Sequence, residues 1–463
     1  MEAAIAAGAA RPKRTFFGEP MGLAYLSFTE AWERFSYYGM TALLPLYLAK
    51  QLFQPGRIEN IAGFGPFRAV VEAVFGRMNT PAELSSQVYG LYTGFVYMTP
   101  ILGGIIADRW LGRRFSVALG ALMMSAGHLA MAFDQSFLLA FLLLVVGCGL
   151  LKGNISTQVG QLYAAEDGEG RTRGYSIYSI GINVGAVVGP IACAALAVAF
   201  GYHWGFGLAG VLMLFGLLTY LLGYRYFAAE SAQPAPAAAD ESKAKTDTKV
   251  ILALIGVMAI TIFQSVGYYQ NTNLALTWID EHVDRSFFGW EVPAEWFQSI
   301  DPFVSILIVP VLIGLWKWQD KHGGEPDEMG KIATGAIITT AANLVLIPAT
   351  LMPGKSHVLF PIIYDVLHGI GFIYYWPTLL GLISGAAPPR LKSTMMGVGF
   401  LTLFVAFNLI GTIGRYYGSM TPTNFWLLHA GIAAIGVVLA LVFGKPLMKI
   451  LRAAETKQEG HAA

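Results

Sequence analysis

Charge is what this sequence has least of. Only 13% of its 463 residues are Asp, Glu, Lys or Arg, and 55% are hydrophobic. An ordinary soluble domain carries about 25% charged residues, so the composition argues against a solvated globule. Cysteine is nearly absent. Cys148 and Cys193 are the only two, both inside apolar stretches, so neither a disulfide framework nor a cysteine-based metal site is available. No basic face with interleaved aromatics offers a nucleic-acid surface, and a net charge of +1 selects no partner. No nucleophile–base pair, phosphate loop or metal cluster stands out, which argues against an enzyme and against a bound metal. The basic residues of 1–20 are followed by a full-length apolar stretch with no A-x-A-like site, so no cleavable signal peptide is expected.

What the chain has instead is hydrophobic length. Twelve stretches are each long enough to span a bilayer, near 22–52, 86–107, 115–133, 136–163, 173–199, 205–227, 249–280, 298–320, 329–352, 357–387, 391–419 and 424–452. Backbone groups in lipid must be satisfied within the segment, so these are predicted to be helices in an all-α membrane protein. Ala, Pro, Asp and Lys dominate 228–248, which reads as a linker between a six-helix bundle at 21–227 and a second at 249–452. Residues 1–20 and 453–463 are left as an N-terminal segment and a tail. Most lysines and arginines fall on the side of the termini; Arg57, Arg68, Arg77, Arg285 and Lys355 fall on the other. That bias predicts cytoplasmic termini in a plasma (inner) membrane. The connections 53–85, with an amphipathic stretch around Phe67–Phe75, and 281–297 are then extracellular caps. A six-plus-six division with a cytoplasmic linker resembles the major facilitator transporters, whose substrate site lies at midplane between the halves.

The few charges inside the spans are the informative ones. Glu30, Glu33, Arg34, Tyr37 and Tyr38 are spaced i, i+3, i+4, i+7, i+8 and are predicted to share one helix face. Ionisable groups at membrane depth cost roughly 2.5–3.5 kcal/mol each and by default mark a substrate or proton path. Lys152 follows a nearly unbroken apolar run from Phe137 and needs an acid; Glu30 and Glu33 are the candidates, unless Lys152 snorkels to the interface. Between spans two and three, Gly103-Gly104-Ile105-Ile106-Ala107-Asp108-Arg109-Trp110-Leu111-Gly112-Arg113-Arg114 resembles the G-x3-D-R…G-R-R loop of facilitator transporters. There Asp108, Arg109 and Arg113 are candidates for gating contacts with the other half.

Glu30-Ala31-Trp32-Glu33-Arg34-Phe35-Ser36-Tyr37-Tyr38-Gly39 matches the E-x-x-E-R-F-x-Y-Y-G signature of the proton-dependent oligopeptide transporter family. Lys152-Gly153-Asn154-Ile155-Ser156, Gly181-Ile182-Asn183-Val184-Gly185-Ala186 and Trp296-Phe297-Gln298-Ser299-Ile300-Asp301-Pro302 resemble its motifs on spans four, five and eight. The resemblance covers essentially the whole chain. It implies proton coupling through Glu30, Glu33, Arg34 and Lys152, with protons as coupling ion and no other cofactor. It also implies a cavity lined by Tyr37, Tyr38, Tyr97 and Asn183.

The departures from the family pattern fall on the substrate anchors. Thr41 stands where peptide-carrying members place an arginine for the peptide carboxylate. Phe372 stands at the tenth-span glutamate that holds the peptide amine, and Tyr269, before Gln270, at a seventh-span glutamate. Charge is present elsewhere. Asp301 either faces the cavity or caps the start of span eight. Asp365 and His368, at i and i+3 on span ten, either add an amine or proton site or lie wet near the outer interface. The substrate site is therefore predicted from Tyr37, Tyr38, Tyr97, Asn183, Tyr269, Gln270, Asp301 and Phe372. The expected function is proton-coupled symport of peptides or small peptide-like compounds. The alternatives are a non-peptide small molecule on the same fold, or a non-transporting sensor, which would be expected to lose the coupling set. The expected partners are a small-molecule substrate and the lipid bilayer; monomer is the default state.

Overall fold

The structure is a computed structural model that describes residues 15–163, 168–227, 244–388 and 391–459. Its helices are α1 Met21–Tyr47, α2 Phe64–Phe75, α3 Pro81–Ile106, α4 Arg113–Ala130, α5 Phe137–Gly160, α6 Gly168–Phe200 and α7 Tyr202–Gly223. After the linker come α8 Ala244–Tyr269, α9 Leu274–His282, α10 Ile300–Lys321, α11 Glu328–Thr350, α12 Leu359–Ala386, α13 Lys392–Gly414 and α14 Pro422–Glu459. The twelve predicted spans correspond to α1, α3 to α8 and α10 to α14. Ten of these are long and apolar enough to cross a membrane by length and composition. The other two are α1, with three charges in its middle, and α4, which begins on Arg113-Arg114.

Several boundaries differ from the sequence expectation. Residues 244–248 of the expected linker already belong to α8, whose helical pattern starts before its apolar run; 228–243 lie outside the described residues. α14 continues through Glu459 into the expected tail. Ahead of α1, β1 (Thr15–Phe16) and β2 (Glu19–Pro20) form a short hairpin. The connection 53–80 holds α2, as the amphipathic pattern predicts. The 281–297 connection holds β3 (Val283–Asp284), β4 (Ser286–Phe287) and β5 (Trp290–Glu291). β4 and β5 pair as a hairpin, and β3 pairs with β6 (Ser356–His357).

Small residues set the packing that positions the site. Gly181, Gly185 and Gly189 recur every fourth residue on α6. A Cβ at each would fall 2.5–2.7 Å from the carbonyl oxygens of Ser27, Ala31 and Phe35 on α1. This close approach is typical of membrane helices, where small residues let backbones touch. It fixes the α1 charge stripe beside Asn183.

The two halves meet at the end of the molecule that carries the 53–80 and 281–299 connections, here the loop end. Gly90 and Gly94 of α3 abut Phe407 and Asn408 of α13, and Gly411 and Gly414 abut Gln87 and Ser86. Asn273 Nδ2 donates to Ser86 Oγ at 2.7 Å, Trp296 Nε1 to the Ile191 carbonyl at 3.1 Å and Ser299 Oγ to the Val187 carbonyl at 2.8 Å. Lys50, at the end of α1, forms an ion pair with Asp280 of α9. The loop end is closed in this state.

Candidate functional site

Below that closure lies a cavity of about 330 Å³ between the halves. The first half contributes Glu30, Arg34, Tyr37, Tyr38 and Thr41 from α1, Tyr97 from α3, Lys152 from α5 and Asn183 from α6. The second contributes Tyr268 and Tyr269 from α8, Asp301 from α10, Phe372 from α12 and Phe407 from α13. All but one of the predicted substrate residues therefore converge on one space.

The exception is Gln270. Its side chain is fully buried, and its amide has no hydrogen-bond partner among the described residues. The cause is local: α8 ends at Tyr269 and the chain enters a 3-10 turn, Gln270–Thr272. Tighter winding changes which residue faces the cavity, and Asn271 and Thr272 line it instead.

The α1 stripe is also divided. Glu30, Arg34, Tyr37 and Tyr38 face the cavity, while Glu33 is fully buried behind them. The Arg34 guanidinium forks onto Glu33, with Nη2 donating to Oε1 at 2.6 Å and Nε to Oε2. Arg34 Nε also lies 3.2 Å from Glu30 Oε1. Tyr178 of α6 donates its hydroxyl to Glu30 Oε2 at 2.6 Å. A planar fork grips two carboxylates better than an ammonium does, and it takes both acids.

Lys152 consequently does not form the expected pair with Glu30 or Glu33, and it does not snorkel. Its ammonium stands 4.3 Å from the centre of the Tyr97 ring and 5.8 Å from that of Tyr37. It faces the cavity on aromatic faces, a contact worth roughly 0.5–2 kcal/mol, well short of a buried ion pair.

In the second half, Asp301 sits in the first turn of α10, yet its carboxylate turns inward rather than capping. It accepts from the Tyr268 hydroxyl, and from Asn271 Nδ2 and Ser305 Oγ at 3.4 Å each. Aromatic walls complete the space. Tyr97 stacks on Phe407 at 5.4 Å, Tyr269 lies 4.5 Å from Phe407, and Tyr268 stacks on Phe372 at 5.4 Å. Asp365 and His368 do not reach the cavity. They are not wet either: Asp365 is 3% exposed and His368 fully buried within the second bundle.

The loop between α3 and α4 keeps its contacts within the first half. Asp108 pairs with Arg113 at 2.9 Å, and Arg109 is exposed. At the loop end, Arg415 donates to the carbonyl of Phe75 at 3.0 Å and so anchors the end of α2.

Sequence reasoning missed Tyr89, Asn271, Thr272, Ser305, Phe400 and Phe407 as lining residues. Phe400, Leu403 and Phe407 follow i, i+3, i+7 and so announce one face of α13. An aromatic row of that kind fits a core or a lipid face equally well, and only the opposing half decides it.

Two six-helix halves around a charged midplane cavity define a membrane transporter class. Residues 26–412 match the family model of the Major Facilitator Superfamily, and the chain belongs to that superfamily. It is 26% identical to the di-/tripeptide transporter of Lactococcus lactis subsp. cremoris, with 95% of this chain and 98% of that protein aligned. It is 28% identical to the peptide transporter YePEPT of Yersinia enterocolitica, over 96% and 98% of the two chains. Among solved structures it resembles a variant of the peptide transporter POT in complex with alafosfalin, with a TM-score of 0.81 and 25% identity over 95% and 97% of the chains. The matches bear out the resemblance of its motifs to the oligopeptide transporter family.

Proposed function

We propose that this protein is a proton-coupled symporter of peptides or small peptide-like compounds that works by alternating access of its two halves. The observation that carries this reading is the division of labour in the first half. Glu30, Glu33 and Arg34 form a closed ion-paired cluster, while the Lys152 ammonium faces the same cavity in cation–π contact with Tyr97 and Tyr37, outside those ion pairs. Protonation of one acid frees part of Arg34, and Lys152 can then exchange partners with an acid or with a substrate carboxylate. A group with a different partner in each state biases one conformation over the other. The loop holding Asp108, Arg109 and Arg113 is assigned to the closing contact at the opposite end, formed when the loop end opens. The lysine and arginine distribution favours cytoplasmic termini. The curated relatives are named as peptide transporters. With Thr41, Tyr269 and Phe372 at the positions of the charged anchors, Asp301 is the carboxylate that the second half presents to the cavity.

The test is uptake into proteoliposomes driven by a pH gradient, with labelled dialanine and a pooled library of di- and tripeptides. Absence of proton-driven uptake of any of these by well-folded protein would move the assignment to a non-peptide substrate.

Asp301 is the carboxylate at which a substrate amine would be held. Asp301→Asn keeps the shape and removes the charge. A charge-assisted hydrogen bond is worth about 1.5–3 kcal/mol, so affinity for a transported amine should fall roughly 10–150-fold. The N-acetylated form of the same compound should be little affected. Equal losses for both forms would show that Asp301 does not hold the amine.

A further inference from the structure

The second half contains buried acids whose partners are all neutral. Asp301 is held by a phenol, an amide and a hydroxyl. Asp365 of α12, 3% exposed, has an oxygen with no hydrogen-bond partner among the described residues. In the first half Arg34 pairs with both acids; here His368, one turn along α12 from Asp365, is a buried group able to carry positive charge.

His368 is fully buried, and its surroundings are built from acceptors. Its Nδ1 lies 2.8 Å from the carbonyl oxygen of Tyr364, and its Nε2 lies 3.3 Å from that of Gly267. A neutral imidazole has one N–H and one bare nitrogen. Carbonyl oxygens only accept, so donating to both at once requires the doubly protonated ring, although the Gly267 oxygen also accepts from Asn343. Gly267 belongs to the last turn of α8, where the helix dipole presents its negative end and favours a cation.

The titratable neighbours favour the same charge. On its own helix stand Asp365, one turn earlier, and Tyr364, with ring centres 4.2 Å apart. From α8 comes Tyr268, its ring centre 5.4 Å away and its hydroxyl on Asp301. From α10 comes Asp301, whose Oδ1 would lie 3.2 Å from a Cβ on neighbouring Gly369. From α14 comes His429, whose carbonyl borders Gly267. From α11 comes only the neutral Asn343, which donates to the same Gly267 carbonyl at 3.1 Å.

We propose that His368, with Asp365 one turn earlier on α12 as counter-charge, is a second proton-binding site of this transporter, packed against Tyr268, whose hydroxyl bonds the cavity residue Asp301. The proton is taken from water by the bare ring nitrogen and is returned to water in the same cycle; no other bond changes. The imidazolium offsets carboxylate charge in the second half, so its occupancy alters how strongly Asp301 attracts a cationic substrate group. The inference rests on the proposed symport for its role, but not for its existence.

The experiment is nitrogen-15 histidine NMR on the full-length protein without substrate. Eight histidines make the spectrum tractable, and His368→Gln assigns the signal. The expected result is a His368 resonance that passes to the doubly protonated form as pH falls within the range in which the protein stays folded. In Asp365→Asn, that passage should move to lower pH. A His368 signal that stays in one neutral tautomer across the range overturns the proposal, as does a passage unmoved in folded Asp365→Asn. In proteoliposomes, with a library peptide that wild type carries, His368→Gln should move one fewer proton per substrate; an unchanged ratio overturns the role in coupling. If wild type carries no peptide, the symport reading fails while the titration still decides the proton site. If His368→Gln does not fold, His368→Asn assigns the signal and the shift in Asp365→Asn decides.

Discussion

Lys152→Ala protein should fold with wild-type stability and fail to take up substrate against a pH gradient. The two halves of that expectation come from the same geometry. Lys152 forms cation–π contacts with Tyr97 and Tyr37 rather than an ion pair. Truncating it therefore strands no buried carboxylate, and removal of a positive charge near Arg34 offsets the lost contact. A change within about 1 kcal/mol is expected. Transport is another matter. Without Lys152 the cavity loses its cation outside the Arg34 ion pairs, so a proton arriving at Glu30 or Glu33 no longer alters the balance between conformations.

Arg34→Ala should behave in the opposite way. It strips Glu30 and Glu33, both buried, of the guanidinium that pairs with them, and breaking a buried pair of this kind costs roughly 3–5 kcal/mol. The variant should melt earlier or fail to accumulate, whereas Glu33→Gln, which leaves the Arg34–Glu30 contact at 3.2 Å, should fold and lose proton-driven uptake. Thermal unfolding in detergent beside pH-driven uptake separates the three. If Lys152→Ala proves as unstable as Arg34→Ala, the lysine is a structural counter-ion and the division of labour proposed for this cluster is wrong.

That division was not legible in the sequence, although the cluster was. The spacing of Glu30, Arg34, Tyr37 and Tyr38 suffices to put them on one face, and the apolar flanks suffice to put them in lipid. It does not say which acid turns behind the helix, because i+3 and i+4 straddle the face. Nor does it say that Tyr178, a helix away, would take the free oxygen of Glu30. Charge balance suggested a lysine–glutamate pair; the competition from a forked guanidinium on the same helix overrode it. The helices themselves were readable because lipid leaves the backbone no alternative. Ends were less so, since helical turns continue past the apolar run at both Ala244 and Glu459. Gln270 shows the same limit at finer scale: one turn of 3-10 winding moved a predicted cavity residue into the core.

The largest conformational effect is expected from Gly90→Val. A Cβ at Gly90 would lie 2.4 Å from the carbonyl oxygen of Phe407 and 3.1 Å from the Cα of Gly411. Both are backbone atoms of α13, which cannot swing away as a side chain does. Overpacking of this order costs about 1–3 kcal/mol. Because α3 and α13 belong to different halves, the cost falls on the closed loop end and not on either bundle. Only the closed state is penalised, so the balance should move roughly 5–150-fold toward a loop-end-open state. Phe407 also forms the cavity wall against Tyr97, so the wedge acts where closure and substrate contact meet. Gly431→Val on α14 is the control, since a Cβ there meets nothing within 4 Å. A cysteine placed at Ser86, which faces Gly414 across the same seam, reports the opening. The native Cys148 and Cys193 are buried and should contribute little background. In the Gly90→Val background this cysteine should react with a membrane-impermeant maleimide applied on the side that the loop end faces, and uptake should be lost in both proton-driven and counterflow assays. Unchanged labelling together with intact uptake would mean that the α3–α13 seam does not separate when the loop end opens, and that alternation takes place along another interface.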